Sequence, residues 1–227
     1  MTADRSIAKL VLVAGATGGT GRHVVTELLA AGYRVRALVR DPARARSVFS
    51  PAVELAAADV SSSSTLTDSL FRDVWAVVST IGGRAPFGRS GFRAIDWLGN
   101  KALIDAARHA SVIRFVMVTA GSAGRKTFPH NLPFAPYPWK GRAEQHLKQS
   151  GLGYTITAPG GLTDLPGNQV GIRLAPRDQY RIGRIARADV ASVAVACLGV
   201  ANTLGQTITM INDPALAASA WRTQLAS

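Results

Sequence analysis

The 227-residue sequence is short of the features that would place it in several large classes of protein. It has one cysteine, Cys197, so no internal disulfide can form; that residue falls in an apolar helical pattern over 190–198, where a thiol behaves as a small core side chain. No apolar run approaches the ~20 residues needed to cross a bilayer. Residues 1–9 lack the apolar centre of an export signal, so a cytoplasmic protein with no membrane partner is expected. No spacing of His, Cys and carboxylates suggests a metal. Acids are scarce as well, 14 Asp and Glu against 26 Lys and Arg, a formal net charge of +12. The basic residues are scattered, without a run of five or six and without interleaved aromatics. A field that attracts an anionic small molecule therefore explains the charge more simply than nucleic-acid binding does. A hydrophobic content of 47% excludes disorder, and the length suits a single domain.

What the chain does have is a glycine-rich turn set between a strand and a helix. Val11-Leu-Val-Ala14 runs into Gly15-Ala-Thr-Gly18-Gly19-Thr20-Gly21, and an amphipathic segment and a second apolar run follow. A strand that turns at once into a helix aims free backbone N–H groups and the positive helix end at one spot, which suits a pyrophosphate. Gly15 serves the tight turn, Gly18 and Gly19 let backbone approach phosphate, and Gly21 lets the helix pack on the strand. This reads as a dinucleotide site.

In the NAD form of such sites an acid about 20 residues further on meets the ribose hydroxyls. Here the second strand ends in Arg40, followed by Asp41-Pro42, Arg44 and Arg46. A guanidinium fork suits a 2′-phosphate, so the expected cofactor is NADP (NADPH), with Arg40 as the main ligand and Arg44 as helper. The same phosphate would account for the local cluster of Arg34, Arg36, Arg40, Arg44 and Arg46.

Periodicity predicts strands near 10–14, 33–39, 53–57, 74–80, 113–119, 154–158 and 206–211, and helices over 20–31, 66–71, 93–109, 140–149 and 188–199. Gly32 and Gly151 mark helix ends, and Ser64 and Asp189 sit where helix starts would be capped. The alternation predicts an α/β protein with a doubly wound parallel sheet, a Rossmann fold in one domain, whose ligands lie outside the carboxyl ends of the strands. Loops of small residues follow those ends: Thr80-Ile-Gly-Gly83, Thr119-Ala-Gly-Ser122 and Pro159-Gly160-Gly161-Leu162. Packing alone does not readily explain so many. Segments 124–139, rich in Pro and aromatics, and 164–180 are expected to cover a substrate. The apolar segment 214–225 could dock on its own core or on a neighbour, which leaves monomer and homodimer open.

With these residues in hand, the chain resembles the atypical short-chain dehydrogenase/reductases, the NAD(P)H-binding proteins close to NmrA-like and biliverdin or flavin reductase B-like members. Further motifs that carry the resemblance are Val39-Arg-Asp-Pro42, Asp59-Val60, Lys140-Gly-Arg-Ala-Glu144, 150–162 and Ile185-Ala-Arg-Ala-Asp-Val190. The resemblance implies that Gly15, Thr17, Gly18, Gly19, Thr20 and Gly21 hold the pyrophosphate and Arg40 the 2′-phosphate. By the same resemblance Asp59 and Val60 meet the adenine, and Thr80, Pro159, Gly160 and Gly161 the nicotinamide half.

Tyrosine-dependent members carry Tyr-x-x-x-Lys. The matching lysine is Lys140, but Pro136 stands four residues before it, and Tyr137, three before, has a proline on either side. Those prolines argue against a simple helical relation between Tyr137 and Lys140. The catalytic candidates are Lys140, which would bind the nicotinamide ribose, Tyr137 as proton donor or aromatic wall, and Ser122 or Thr119 to orient a substrate oxygen. His130, in the expected cover, is a weaker candidate. The expected function is hydride transfer from NADPH to a small apolar or aromatic acceptor, a ketone, enone, quinone or flavin. A non-catalytic NADP(H)-binding sensor or scaffold is the alternative.

Overall fold

A computed structural model describes residues 8–124, 132 and 134–226. His130 and half of the expected cover at 124–139 lie outside the described residues. The first strand, β1 (Leu10–Ala14), is buried along its whole length and alternates between two cores. Val11 and Val13 face one core, and Leu10, Leu12 and Ala14 the other. The two-residue period of a strand imposes that split, and covering both faces requires helices on both sides of the sheet.

The chain proceeds through α1 (Gly19–Ala30), β2 (Arg34–Val39), α2 (Pro42–Arg46), β3 (Val53–Ala57), α3 (Asp68–Phe71) and β4 (Val74–Ser79). A π-helical stretch, Arg93–Gly99, runs into α4 (Asn100–His109), followed by β5 (Arg114–Val118), α5 (Tyr137–Lys148) and β6 (Gly153–Pro159). Then come β7 (Gly161–Thr163), β8 (Gly171–Pro176), β9 (Arg184–Ala186), α6 (Arg187–Ala196), β10 (Thr207–Asp213) and α7 (Ala220–Ala226). The main sheet has the order β3-β2-β1-β4-β5-β6-β10-β8, and β7 pairs with β9 separately. The first six positions are the doubly wound order in which connections reverse direction between β1 and β4, so the ligand crevice lies beyond their carboxyl ends.

Most predicted elements stand within a residue or two. β8 is the principal addition: it pairs antiparallel to β10, so the sheet is not wholly parallel, and it occupies part of the segment expected to cover a substrate. Helix α5 starts at Tyr137, three residues before the expected start, because proline is tolerated in a first turn where amides have no helical partner. Tyr137 and Lys140 therefore do share one helix, against the expectation drawn from the flanking prolines. Ser64 caps no helix, since α3 follows Thr67, and Asp189 lies inside the first turn of α6. The C-terminal segment docks on its own core through Trp221 and Leu225, 3% and 5% exposed. Cys197 is buried as expected, and burial pushes its thiol up to about 12.

One contact sets the position of α1. A Cβ on Gly21 would lie 2.1 Å from the Gly15 carbonyl oxygen and 2.9 Å from Ala16 Cα, both rigid backbone. Gly21→Ala is thus an overpacking change, expected to cost about 1–3 kcal/mol or more in urea unfolding; an unchanged midpoint would contradict this seating of the helix.

Candidate cofactor and active site

The turn after β1 is built for a phosphate. Gly15 takes φ +81°, and a Cβ there would meet Thr80 Oγ1 at 2.7 Å, so the turn needs glycine for its conformation and its space. Thr80 donates from its N–H to Ala14 O (2.9 Å), and its hydroxyl lies 3.1 and 3.2 Å from the carbonyl oxygens of Ala14 and Gly15. The expected nicotinamide contact Thr80 thus ties β4 to the glycine turn. Helix α1 begins with neither a side-chain cap at Gly18 nor an acid in its first turn. Its opening amides and positive end are left to a ligand, and Thr17, Gly18 and Gly19 are at least partly accessible. The Gly18 amide itself donates to Gly15 O (2.9 Å), so Gly18 contributes space rather than a donor. Thr20 is buried in the first turn. These features fit a dinucleotide diphosphate.

At the end of β2, Arg40 is exposed, and the carboxylate of neighbouring Asp41 accepts from Arg44 N (3.0 Å) as the cap of α2. The one acid in the ribose position is therefore occupied by backbone. Arg44 is exposed on α2. The rest of the expected arginine cluster serves the sheet instead. Arg34 and Arg36 both pair with Glu54 on β3, at 2.6 and 2.8 Å, and Arg46 reaches the Val53 carbonyl. Asp59 accepts from the amide and hydroxyl of Ser61 at 2.9 and 2.8 Å. The Ser61 hydrogen bonds, with the charges of Arg40 and Arg89 adding, hold its carboxyl below the usual range. Val60 packs beside Gly99, whose Cβ would be 3.2 Å from Val60 Cγ2.

On the other side of the crevice, Lys140 Nζ pairs with Asp96 Oδ1 at 2.6 Å, with 16% and 1% of the side chains exposed. Asp96 sits in the π-helical stretch, an irregularity that often marks functional sites, and its Oδ2 accepts from Gly83 N (2.9 Å). Asn100 donates to the Asp96 carbonyl and accepts from Ser79 Oγ at 2.8 Å. Lys140 is thereby fixed beside the Gly82-Gly83 loop by a partner that the sequence reading missed. Asp96 carried no motif signal; it meets Lys140 only through tertiary packing.

The loop after β5 is held by a second unforeseen group. Arg177 Nη1 donates to the carbonyls of Ala120, Gly121 and Ala123 at 2.8–3.1 Å, while its Nη2 pairs with buried Glu144 (2.6 Å). Thr119 Oγ1 donates to the same carboxylate oxygen at 2.6 Å, which makes it part of the clamp rather than a free substrate contact. Ser122 lies on this loop, 8% exposed, and Tyr137 begins α5, its carbonyl accepting from Gly124 N (3.1 Å).

The small residues of these loops have packing reasons after all. Gly121 lies under the Tyr180 ring, Gly83 against Phe92 and Gly160 against the Gly183 carbonyl, each too close for a Cβ. The amides of Gly160 and Gly161 donate to Met210 O and Gly183 O, and Pro159 O accepts from Gly121 N. Pro159, Gly160 and Gly161 thus form a braced floor, with no amide to spare. Beyond them opens a cleft of about 820 Å³, lined mainly by apolar atoms of Leu162, Leu165, Pro166, Val170 and Ile185, with Asp164 and Arg184 among its polar groups. Among the described residues no His, Cys, Asp and Glu cluster could hold a metal, and no helix is long and apolar enough to cross a membrane.

Residues 15–200 match the NAD(P)H-binding family, and the chain belongs to it, as an atypical short-chain dehydrogenase/reductase with a nicotinamide cofactor site. Among relatives, the uncharacterised chloroplast protein At2g34460 of Arabidopsis thaliana is 37% identical over 204 residues, 84% of this chain and 72% of that one. The chloroplast TIC 62 proteins of Arabidopsis thaliana, rice and pea, 30–34% identical, are longer, and the chain spans 33–43% of their length. Among solved structures, a candidate NAD-dependent epimerase/dehydratase from Bacillus halodurans superposes with a TM-score of 0.82 at 26% identity, over 96% of this chain and 100% of that one. The anaerobilin reductase ChuY from Escherichia coli O157:H7 gives 0.73 at 26% identity, over 89% and 97%.

The Asp96–Lys140 pair yields an ordered prediction. Lys140→Met strands the more deeply buried carboxylate, whereas Asp96→Asn keeps the Gly83 hydrogen bond and leaves an ammonium that can still reach water. Urea unfolding should show the first change costing more, with Asp96→Asn costing about 1–3 kcal/mol. The reverse order would contradict the anchoring role given to Asp96.

Proposed function

We propose that the protein is an NADPH-dependent reductase acting on a small apolar or aromatic acceptor such as a ketone, enone, quinone or flavin. When bound, the cofactor supplies the hydride. The chain's own residues bind, orient and donate. The first-turn amides of α1 with Gly18 and Gly19 receive the diphosphate, Arg40 with Arg44 takes the 2′-phosphate, and Asp59 and Val60 flank the adenine. Lys140, fixed by Asp96, serves the ribose of the nicotinamide half.

An acceptor carbonyl develops negative charge on oxygen as it is reduced, so it needs nearby donors. Ser122 orients that oxygen and Tyr137, on the same helix as Lys140, donates the proton. The observation that carries the reading is the apolar cleft of about 820 Å³ close to the glycine turn, a size suited to a small molecule. Its Asp164 pairs with Arg187, whose side chain lies on Gly19.

Two observations favour the second reading, a non-catalytic NADP(H) sensor or scaffold. The Lys140 ammonium is committed to Asp96, and no tyrosine stands four residues before it. NADPH consumption followed by absorbance with a panel of quinones, enones and flavins separates the two. Oxidation with at least one acceptor class is expected; tight binding without oxidation by any of them would overturn the reductase reading in favour of the sensor. Arg40→Ala should lower NADPH affinity roughly ten- to a hundredfold while leaving NADH affinity unchanged. A wild-type preference for NADH at physiological salt would contradict the role of Arg40.

A further inference from the structure

Arg187 opens α6 and has no part in the roles assigned so far. Its side chain lies against the backbone of Gly19, where a Cβ would come within 2.8 Å of its Cδ and 2.9 Å of its Nε. Gly19 is the first residue of α1, so this guanidinium stands over the uncapped, acid-free helix start described above. Its Nη1 is paired at 2.7 Å with Asp164, whose side chain is 86% exposed, against 26% for the arginine. Asp164 belongs to the wall of the apolar cleft. The pair thus spans the short distance between the phosphate cradle and the cleft.

An exposed carboxylate on a loop is a weak partner for arginine, because water competes for both charges. A diphosphate at the helix start would present more negative charge and several acceptor oxygens to the same fork, in a place already favoured by the helix end. We propose that Arg187 is a ligand of the cofactor diphosphate and exchanges Asp164 for it on binding. Asp164 is then a competitor for Arg187, and its release loosens one wall of the cleft when the cofactor arrives. Cofactor binding and the acceptor site are linked through this exchange.

The proposal predicts effects of opposite sign from two partners of one ion pair. Binding of NADPH and NADH is measured by calorimetry and by nucleotide fluorescence, with no acceptor present. Arg187→Ala should weaken both cofactors roughly ten- to a hundredfold, the size of a lost charge-assisted bond to phosphate. Asp164→Asn, at a solvent-exposed side chain that the fold does not depend on, should tighten both by roughly two- to fivefold. In the double variant the Asp164 change should have no further effect. Equal affinities for wild type and a folded Arg187→Ala would overturn the proposal, as would weaker binding by Asp164→Asn. Failure of the wild type to bind either nucleotide would instead sink the cofactor reading on which the proposal rests.

Discussion

The bare Cα of Gly21 against the carbonyl of Gly15 is the contact on which the rest of this structure depends. It lets α1 approach the end of β1 closely enough for its first turn to sit at the carboxyl edge of the sheet. The hydrogen bonds of Thr80 to Ala14 and Gly15 then lock the turn to β4, the strand at which the winding of the sheet reverses. The buried alternation of β1, the tight glycine turn and the accessible helix start form one connected unit. Phosphate binding needs such a unit, because a helix end stabilises an anion only when its amides are already aimed.

Around that unit several basic side chains are committed to acids or carbonyls. Arg34 and Arg36 share Glu54, Lys140 has Asp96, and Arg177 joins Glu144 to the carbonyls of the loop after β5. Two of these acids, Asp96 and Glu144, are almost wholly buried, and each fixes a basic side chain at the rim of the crevice. Buried ion pairs of this kind contribute little net stability compared with apolar packing, but they define position sharply when one partner is held by backbone hydrogen bonds. Arg40 and Arg44 are left exposed at and just beyond the end of β2, the place proposed above for a 2′-phosphate.

The parts of the fold that rest on local pattern could be read from the sequence. β1, β3 and the glycine turn are apolar runs and dihedral demands that declare themselves over a few residues. Elements that exist only by pairing at a distance could not be read so easily. β8 is as long as β2 but carries Arg173 near its middle, and is a strand because β10 lies beside it. The site shows the same division. Gly15 and Gly21 lie in the turn and Arg40 just past β2, as the motif marks them, whereas Asp96 and Arg177 belong to no motif, and Arg187, inside Ile185-Ala-Arg-Ala-Asp-Val190, meets Asp164 across 23 residues of chain in a way that motif does not indicate. The small-residue loops misled for a related reason. Glycine signals close approach, and the sequence does not say whether ligand or chain does the approaching; at Gly83, Gly121 and Gly160 it is the chain.

The account turns on the helix start at Gly19 being the place where the cofactor's phosphates are held. Titrating isotope-labelled protein with NADPH and following backbone amide resonances tests this most directly. The largest shifts should fall on Gly18, Gly19, Thr20 and Gly21, with Arg40 next. Resonances of that turn left unmoved while others saturate would contradict it.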